Sequence, residues 1–216
     1  MNESVYRYRT VFSKTGDLRF IGHLDLQQLF ERALRRSGLP LRYSQGFSPK
    51  VRLSLASALP LGFTSTAEML DFWLNQPVEP AAIQAQLNAA LPADIRILSV
   101  SEVPNSWPSL QASLSAAEYR IRFRPEVDVA TLRNALERLL AEPALPFVRR
   151  NKTVDLKPLV EASHWEGDVL ELRLSALPQA SGRPDELLTL LGLTPSQYGV
   201  QRTALIFEET ERNQDG

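Results

Sequence analysis

Residues 42–52 of the stretch LRYSQGFSPKVRLSL hold three cations, Arg42, Lys50 and Arg52, two rings, Tyr43 and Phe47, and one amide, Gln45. Cations that pair with phosphates beside rings that stack on bases are the usual means of holding single-stranded or looped RNA. Gly46 permits a left-handed backbone and Pro49 stiffens the exit. The same residues therefore also fit a structural turn, with both rings in the core and the cations solvated. Because Gly46 and Pro49 bracket Phe47, the sequence predicts an exposed Phe47 and a Tyr43 that is at least partly buried.

Further cations stand in the second half of the chain. VRRNKTVDLKPL contributes Arg149, Arg150 and Lys152, which fit either an anion-facing surface or a solvated strand edge. In SGRPDELL, Pro184 reads as the first helical residue and Arg183 as the cap, where its charge opposes the helix dipole. An arginine placed there is expected to aim at a ligand anion. Arg202, in VQRTALIF, falls in a central-looking strand and needs an acidic partner or a bound anion. These five complete the expected RNA-binding set. His23, in IGHLDLQ, is the weak candidate for acid–base chemistry or phosphate contact; capping or packing at the helix start explains it equally. His164 lies beside Trp165 and Glu166 in a segment that reads as a turn.

Composition removes several classes of chemistry. The chain has 216 residues, no cysteine and two histidines. A disulfide framework, a thiol nucleophile, a cysteine-held iron–sulfur cluster and a histidine-rich metal site are therefore excluded or disfavoured. No nucleotide-binding P-loop, dinucleotide glycine signature or catalytic triad pattern occurs, so neither cofactor nor metal is expected. The N-terminus lacks an apolar signal core and no run is long enough to span a membrane. A cytoplasmic location and no membrane partner follow as expectations. Net charge is −1, but residues 1–52 carry ten Lys/Arg against four Asp/Glu, while the remainder is acidic. That asymmetry suggests one anion-facing surface rather than a generally basic protein, with no DNA partner expected.

The elements that must position these residues repeat in order. Alternation predicts strands over 5–13, from LPLRYS onward, and over 52–62, 67–75 and 95–103. Helices are predicted over 22–38, with Leu26, Leu29, Phe30, Ala33 and Leu34 inward, and over 80–92. The Pro- and Ser-rich span 104–117 reads as a linker. Beyond it come a strand (118–126), a helix (129–142), strand and connection (145–160), a strand (167–177), a helix (183–192) and a strand (198–209). The fold class is therefore α+β, as two tandem ferredoxin-like (split βαβ) units, each an antiparallel sheet with two helices on one face. The domains are 1–103 and 118–216. LPLRYSQGFSPK and LPFVRRNKTVDL take equivalent places, each following the first helix of its half.

RFIGHLDL, RALRRSGLPLRYSQGFSP, LPLGFTSTAEMLD, RRNKTVDLKPLV and GRPDELLTLLGL resemble the radical-SAM-linked domain family of bacteria, whose members stand alone or are fused to B12-binding radical SAM proteins. The resemblance spans nearly the whole chain and is strongest over 19–71. It implies a radical SAM enzyme as partner, and that partner must bring the iron–sulfur cluster. Where the family often has a histidine after the proline of this segment, this chain has Lys50.

Three functions are consistent with these features. The leading one is a non-catalytic RNA-recognition module working with a radical SAM enzyme. The second is a metal-independent endoribonuclease using His23 and Lys50. The third is a protein adaptor that docks the enzyme without touching RNA.

Overall fold

Alternating side chains give residues 6–14 two unlike faces, and the first half of the protein is built on that difference. The computed structural model describes residues 5–208, which divide into two compact units, 5–114 with 207–208, and 115–206. The first contains β1 (Tyr6–Lys14), α1 (His23–Arg36), β2 (Leu53–Leu55), β3 (Thr64–Leu74), α2 (Pro80–Ala90), β4 (Ile95–Val103) and the short α3 (Leu110–Ser113). Its strands lie in the order β2-β3-β1-β4, with every neighbouring pair antiparallel.

One face of this sheet carries Tyr8, Phe12, Leu70, Phe72 and Ile97. They are buried with Leu26, Phe30 and Leu34 of α1 and Ile83 and Leu87 of α2. Phe12 and Phe30 meet edge to face at 4.7 Å. Each fully buried side chain of this size contributes about 1.5–3 kcal/mol, so this layer supplies most of the unit's stability. Direct antiparallel partners share a face. Arg7 opposite Trp73, Arg9 opposite Asp71 and Ser54 opposite Asp71 therefore occupy the opposite face, free of the long helices α1 and α2; only the one-turn α3 sits on it, where Gln111 bonds Ser54.

In the second unit, β5 (Leu114–Phe123) leads to α4 (Val129–Ala141). The Asp128 carboxylate caps α4 by accepting the Ala130 and Thr131 N–H groups. Next come the hairpin of β6 (Pro146–Arg149) and β7 (Lys152–Asp155), then β8 (Val160–Glu166), β9 (Val169–Leu177), β10 (Ala180–Ser181), α5 (Pro184–Leu190) and β11 (Tyr198–Phe207). β9 pairs antiparallel with β5 on one side and with β8 and β10 on the other, and β11 lies beside β5. Leaving aside the short α3, the hairpin and β10, each unit runs strand, helix, strand, strand, helix, strand, with its first strand between its third and fourth. Each also interposes a basic ribbon after a Leu-Pro pair, at 42–52 and at β6–β7.

Several elements differ from the sequence reading. The strand expected over 52–62 is confined to Leu53–Leu55, because the chain turns at Pro60, whose carbonyl accepts the Phe63 N–H. The strand expected from LPLRYS is reduced to two isolated bridges, Leu41 to Leu74 and Tyr43 to Val51. Within the span read as a linker, residues 110–113 form α3, capped by the Ser109 hydroxyl, and Leu114 opens β5. His164, Trp165 and Glu166 lie in β8 and not in a turn. β8 is largely exposed, so it lacks the apolar alternation that marks a half-buried strand. No helix among the described residues is long and apolar enough to cross a membrane.

α1 stops where the pattern places its end. Gly38 has φ +76° just past the helix, and a Cβ added there would meet nothing within 4 Å. Gly38→Ala should therefore cost only the left-handed backbone penalty, about 1–2 kcal/mol, read as a lower denaturation midpoint with an unchanged m-value.

Candidate functional site

The face of the first unit opposite α1 and α2 concentrates charge around one carboxylate. Asp71 on β3 has 1% of its side chain exposed and lies between Arg7 and Arg9 of β1. Arg7 donates to it through Nε at 2.9 Å and through Nη2. Arg9 donates through Nε at 2.9 Å and Nη2 at 3.0 Å. Four N–H donors thus fall on its two oxygens, three on Oδ2 and one on Oδ1.

Arg7 has further donors, and these fix the segment after β4. Its Nη1 donates to the Trp107 carbonyl at 2.7 Å and its Nη2 to the Pro108 carbonyl at 2.9 Å. The Trp73 indole N–H donates to Asn105 Oδ1 at 3.1 Å, and Asn105 in turn donates to the Val5 carbonyl. Between the sheet and this segment lies an open cleft of about 410 Å³, whose lining includes Arg7, Arg52, Asp71, Trp73, Asn105 and Trp107. Arg52 reaches it from the ribbon, with its guanidinium carbon 4.3 Å from the centre of the Trp73 ring. Asp71 is the one acid in the lining, against Arg7 and Arg52, with Arg9 bonded behind it. The cleft is therefore cationic.

The ribbon itself is a two-stranded turn. Arg52 N–H bonds the Arg42 carbonyl at 2.9 Å, and Ser44 N–H bonds the Lys50 carbonyl at 2.8 Å. The Ser44 hydroxyl accepts the Lys50 N–H, and Gly46 takes φ +127°. Phe47 at the tip is fully exposed and Tyr43 is 41% exposed. Gln45 and Lys50 are also exposed. Arg42 is half-buried, and its Nη1 donates to Asn75 at 3.0 Å. The ribbon thus presents at least one ring beside cations, and Arg52 joins it to the cleft.

The expected sites of the second unit fare differently. Arg149 is held by Glu186, with Nε donating at 2.7 Å, and by the Ser181 carbonyl at 3.0 Å. That hydrogen bond to Glu186 raises its already high pKa further, so Arg149 is a structural cation. Arg183 occupies the N-terminal cap position of α5 without a side-chain capping bond, and it pairs with Asp185 at 3.0 Å. Arg202 is 2% exposed within β11, so an RNA contact there is ruled out by burial. Arg150 and Lys152 remain exposed at the hairpin, with Arg150 and Asn151 both at positive φ as a tight hairpin turn requires. The helix-free face of this unit is charge-compensated. Arg120 pairs with Glu166 and Glu171, and Arg173 pairs with Glu161 and Glu118.

His23 is the first residue of α1, and its buried Nδ1 has no hydrogen-bond partner among the described residues. No described contact joins it to Lys50. No group of three metal-ligating side chains occurs among the described residues.

Sequence reasoning missed Arg7, Arg9, Asp71, Trp73, Asn105 and Trp107. The signal was present as polar or amphipathic residues two apart, Arg7 with Arg9 and Asp71 with Trp73, which alternate with the buried Tyr8 and Phe72.

From Arg7 to Pro184 the sequence matches one bacterial family, described as "Uncharacterized protein conserved in bacteria (DUF2344)". The chain belongs to that family. A comparison with curated proteins found no match. Among solved structures, the chain is similar to one in the "Crystal Structure of a Cbf5-Nop10-Gar1 Complex", at 12% identity and a TM-score of 0.47. That similarity covers 94% of this chain and half the length of the other.

The Asp71 cluster yields a prediction about folding. Asp71→Asn leaves two arginines without their carboxylate and should cost about 3–5 kcal/mol. The companion Arg7→Met/Arg9→Met/Asp71→Leu variant, which removes all three charges of the cluster, should recover a large part of that loss, as read by chemical denaturation.

Proposed function

We propose that this family member is a non-catalytic module that binds single-stranded or looped RNA, and that the 42–52 ribbon with the adjoining face of the first unit, opposite α1 and α2, is its RNA surface. The observation that carries this reading is Arg52. Its guanidinium is stacked on Trp73 and has no carboxylate partner among the described residues. It belongs to the same ribbon as Lys50 and the exposed Phe47, and it lines the cationic cleft. Cations left unpaired beside exposed rings are what a flexible polyanion with stacking bases requires. Arg150 and Lys152, exposed on the ribbon of the second unit, are at most a separate, secondary phosphate contact in this reading.

The repeated strand order supports reading both units as ferredoxin-like, a fold whose four-stranded sheet serves as a base-stacking platform in a common RNA-binding module. The proposed partner is a radical SAM enzyme, supported by the sequence resemblance. It would supply the chemistry, while this chain presents the RNA.

Two outcomes test the reading in equilibrium titrations with a single-stranded oligoribonucleotide. Replacing Lys50 and Arg52 together by Gln should flatten the dependence of log affinity on log salt by roughly 1.4 units, at about 0.7 per lost phosphate contact. Phe47→Ala should cost about 1–3 kcal/mol of affinity while its melting curve overlays the parent's. An unchanged slope and affinity in both variants would favour a protein adaptor that makes no RNA contact.

A further inference from the structure

The cleft has the parts of a pocket for one nucleotide. Its volume of about 410 Å³ falls within the roughly 300–1,000 Å³ typical of small-ligand sites. Its polar lining is largely committed already. Arg7 and Asp71 are bonded to one another, and Asn105 is used by Trp73 and Val5. Two groups keep capacity for a ligand. Arg52 retains its guanidinium donors, because among the described residues it meets only the Trp73 ring and its backbone partners. The Ser109 hydroxyl accepts the Ala112 N–H and keeps its own proton to donate.

The ring that completes the site is Trp107, 44% exposed at the rim. Its backbone is fixed by Arg7 on its carbonyl and by its own N–H on the Pro104 carbonyl at 3.2 Å. The Arg9 guanidinium carbon sits 5.9 Å from the ring centre. A ring held in place before binding loses little entropy when a ligand stacks on it. Arg52 is an anion donor within the same cleft. The pair fits a ligand with one flat heterocycle and one phosphate, and a base within a duplex cannot offer its face to such a ring.

We propose that this cleft receives a single unstacked ribonucleotide unit, its phosphate on Arg52 and its base against Trp107. The inference rests on the reading of the ribbon as an RNA surface, and adds that one base leaves the strand to enter the first unit.

The test is titration of the full chain with the four ribonucleoside 5′-monophosphates, followed by indole fluorescence for the parent and by titration calorimetry for every variant. Inorganic phosphate and the uncharged nucleosides serve as half-ligands. The expected result is saturable quenching by at least one monophosphate, with each half-ligand at least about tenfold weaker. Trp107→Ala should abolish monophosphate binding and weaken an oligoribonucleotide by roughly 5- to 150-fold, while Trp107→Phe retains both. Arg52→Gln should weaken the monophosphate but leave the nucleoside unchanged, a split that a misfolded protein would not give. Oligoribonucleotide binding without monophosphate binding would overturn the cleft and leave the ribbon standing. Monophosphate binding that survives Trp107→Ala would also overturn it. Failure of both ligands would overturn the cleft and the RNA surface together.

Discussion

One buried carboxylate organises the face of the first unit opposite α1 and α2. Asp71 sits in the middle of β3, where water cannot solvate it, and it draws in two arginines from the neighbouring strand. A buried ion cluster of this kind is a weak source of stability compared with apolar side chains of similar volume. Its effect here is geometric. Arg7 is pinned by Asp71 and can then hold the carbonyls of Trp107 and Pro108, which sets the segment after β4 beside the sheet and forms the cleft. Trp107 takes its place from that constraint, while Trp73 stands on β3 two residues from Asp71 and holds Asn105 through its indole N–H.

The contrast between the two units narrows where an anion could bind. They share a strand order, and each inserts a basic ribbon after its first helix. On the corresponding sheet face of the second unit, Arg120 and Arg173 are matched by Glu118, Glu161, Glu166 and Glu171. That face has no surplus of positive charge. In the first unit a single carboxylate faces three arginines, counting Arg52. The same architecture thus carries an anion-attracting face in one unit and a neutral one in the other, which is why the proposed RNA surface centres on the first.

Much of this was readable from the sequence because it depends on local rules. The stripe Leu26, Phe30, Ala33 and Leu34 with Gly38 behind it defines α1, and the Gly46–Pro49 bracket correctly exposes Phe47. That each basic segment follows the first helix of its unit was visible in the Leu-Pro starts. The sequence pattern failed where the deciding contact is distant along the chain. Arg149 looks like a free cation until Glu186, 37 residues away, is folded against it. Asp71 and Arg7 are 64 residues apart and Arg7 and Trp107 are 100 apart, so no window along the chain contains the cleft. Exposed strands such as β8 show no alternation because neither face is buried.

The most direct test of the central claim is ultraviolet crosslinking of the intact protein to RNA in cells, with mass spectrometry of the crosslinked peptides. The account predicts adducts within residues 42–52 and at Trp107, all in the first unit. Efficient crosslinks confined to β8 and β9 of the second unit, or the absence of any RNA adduct, would contradict it.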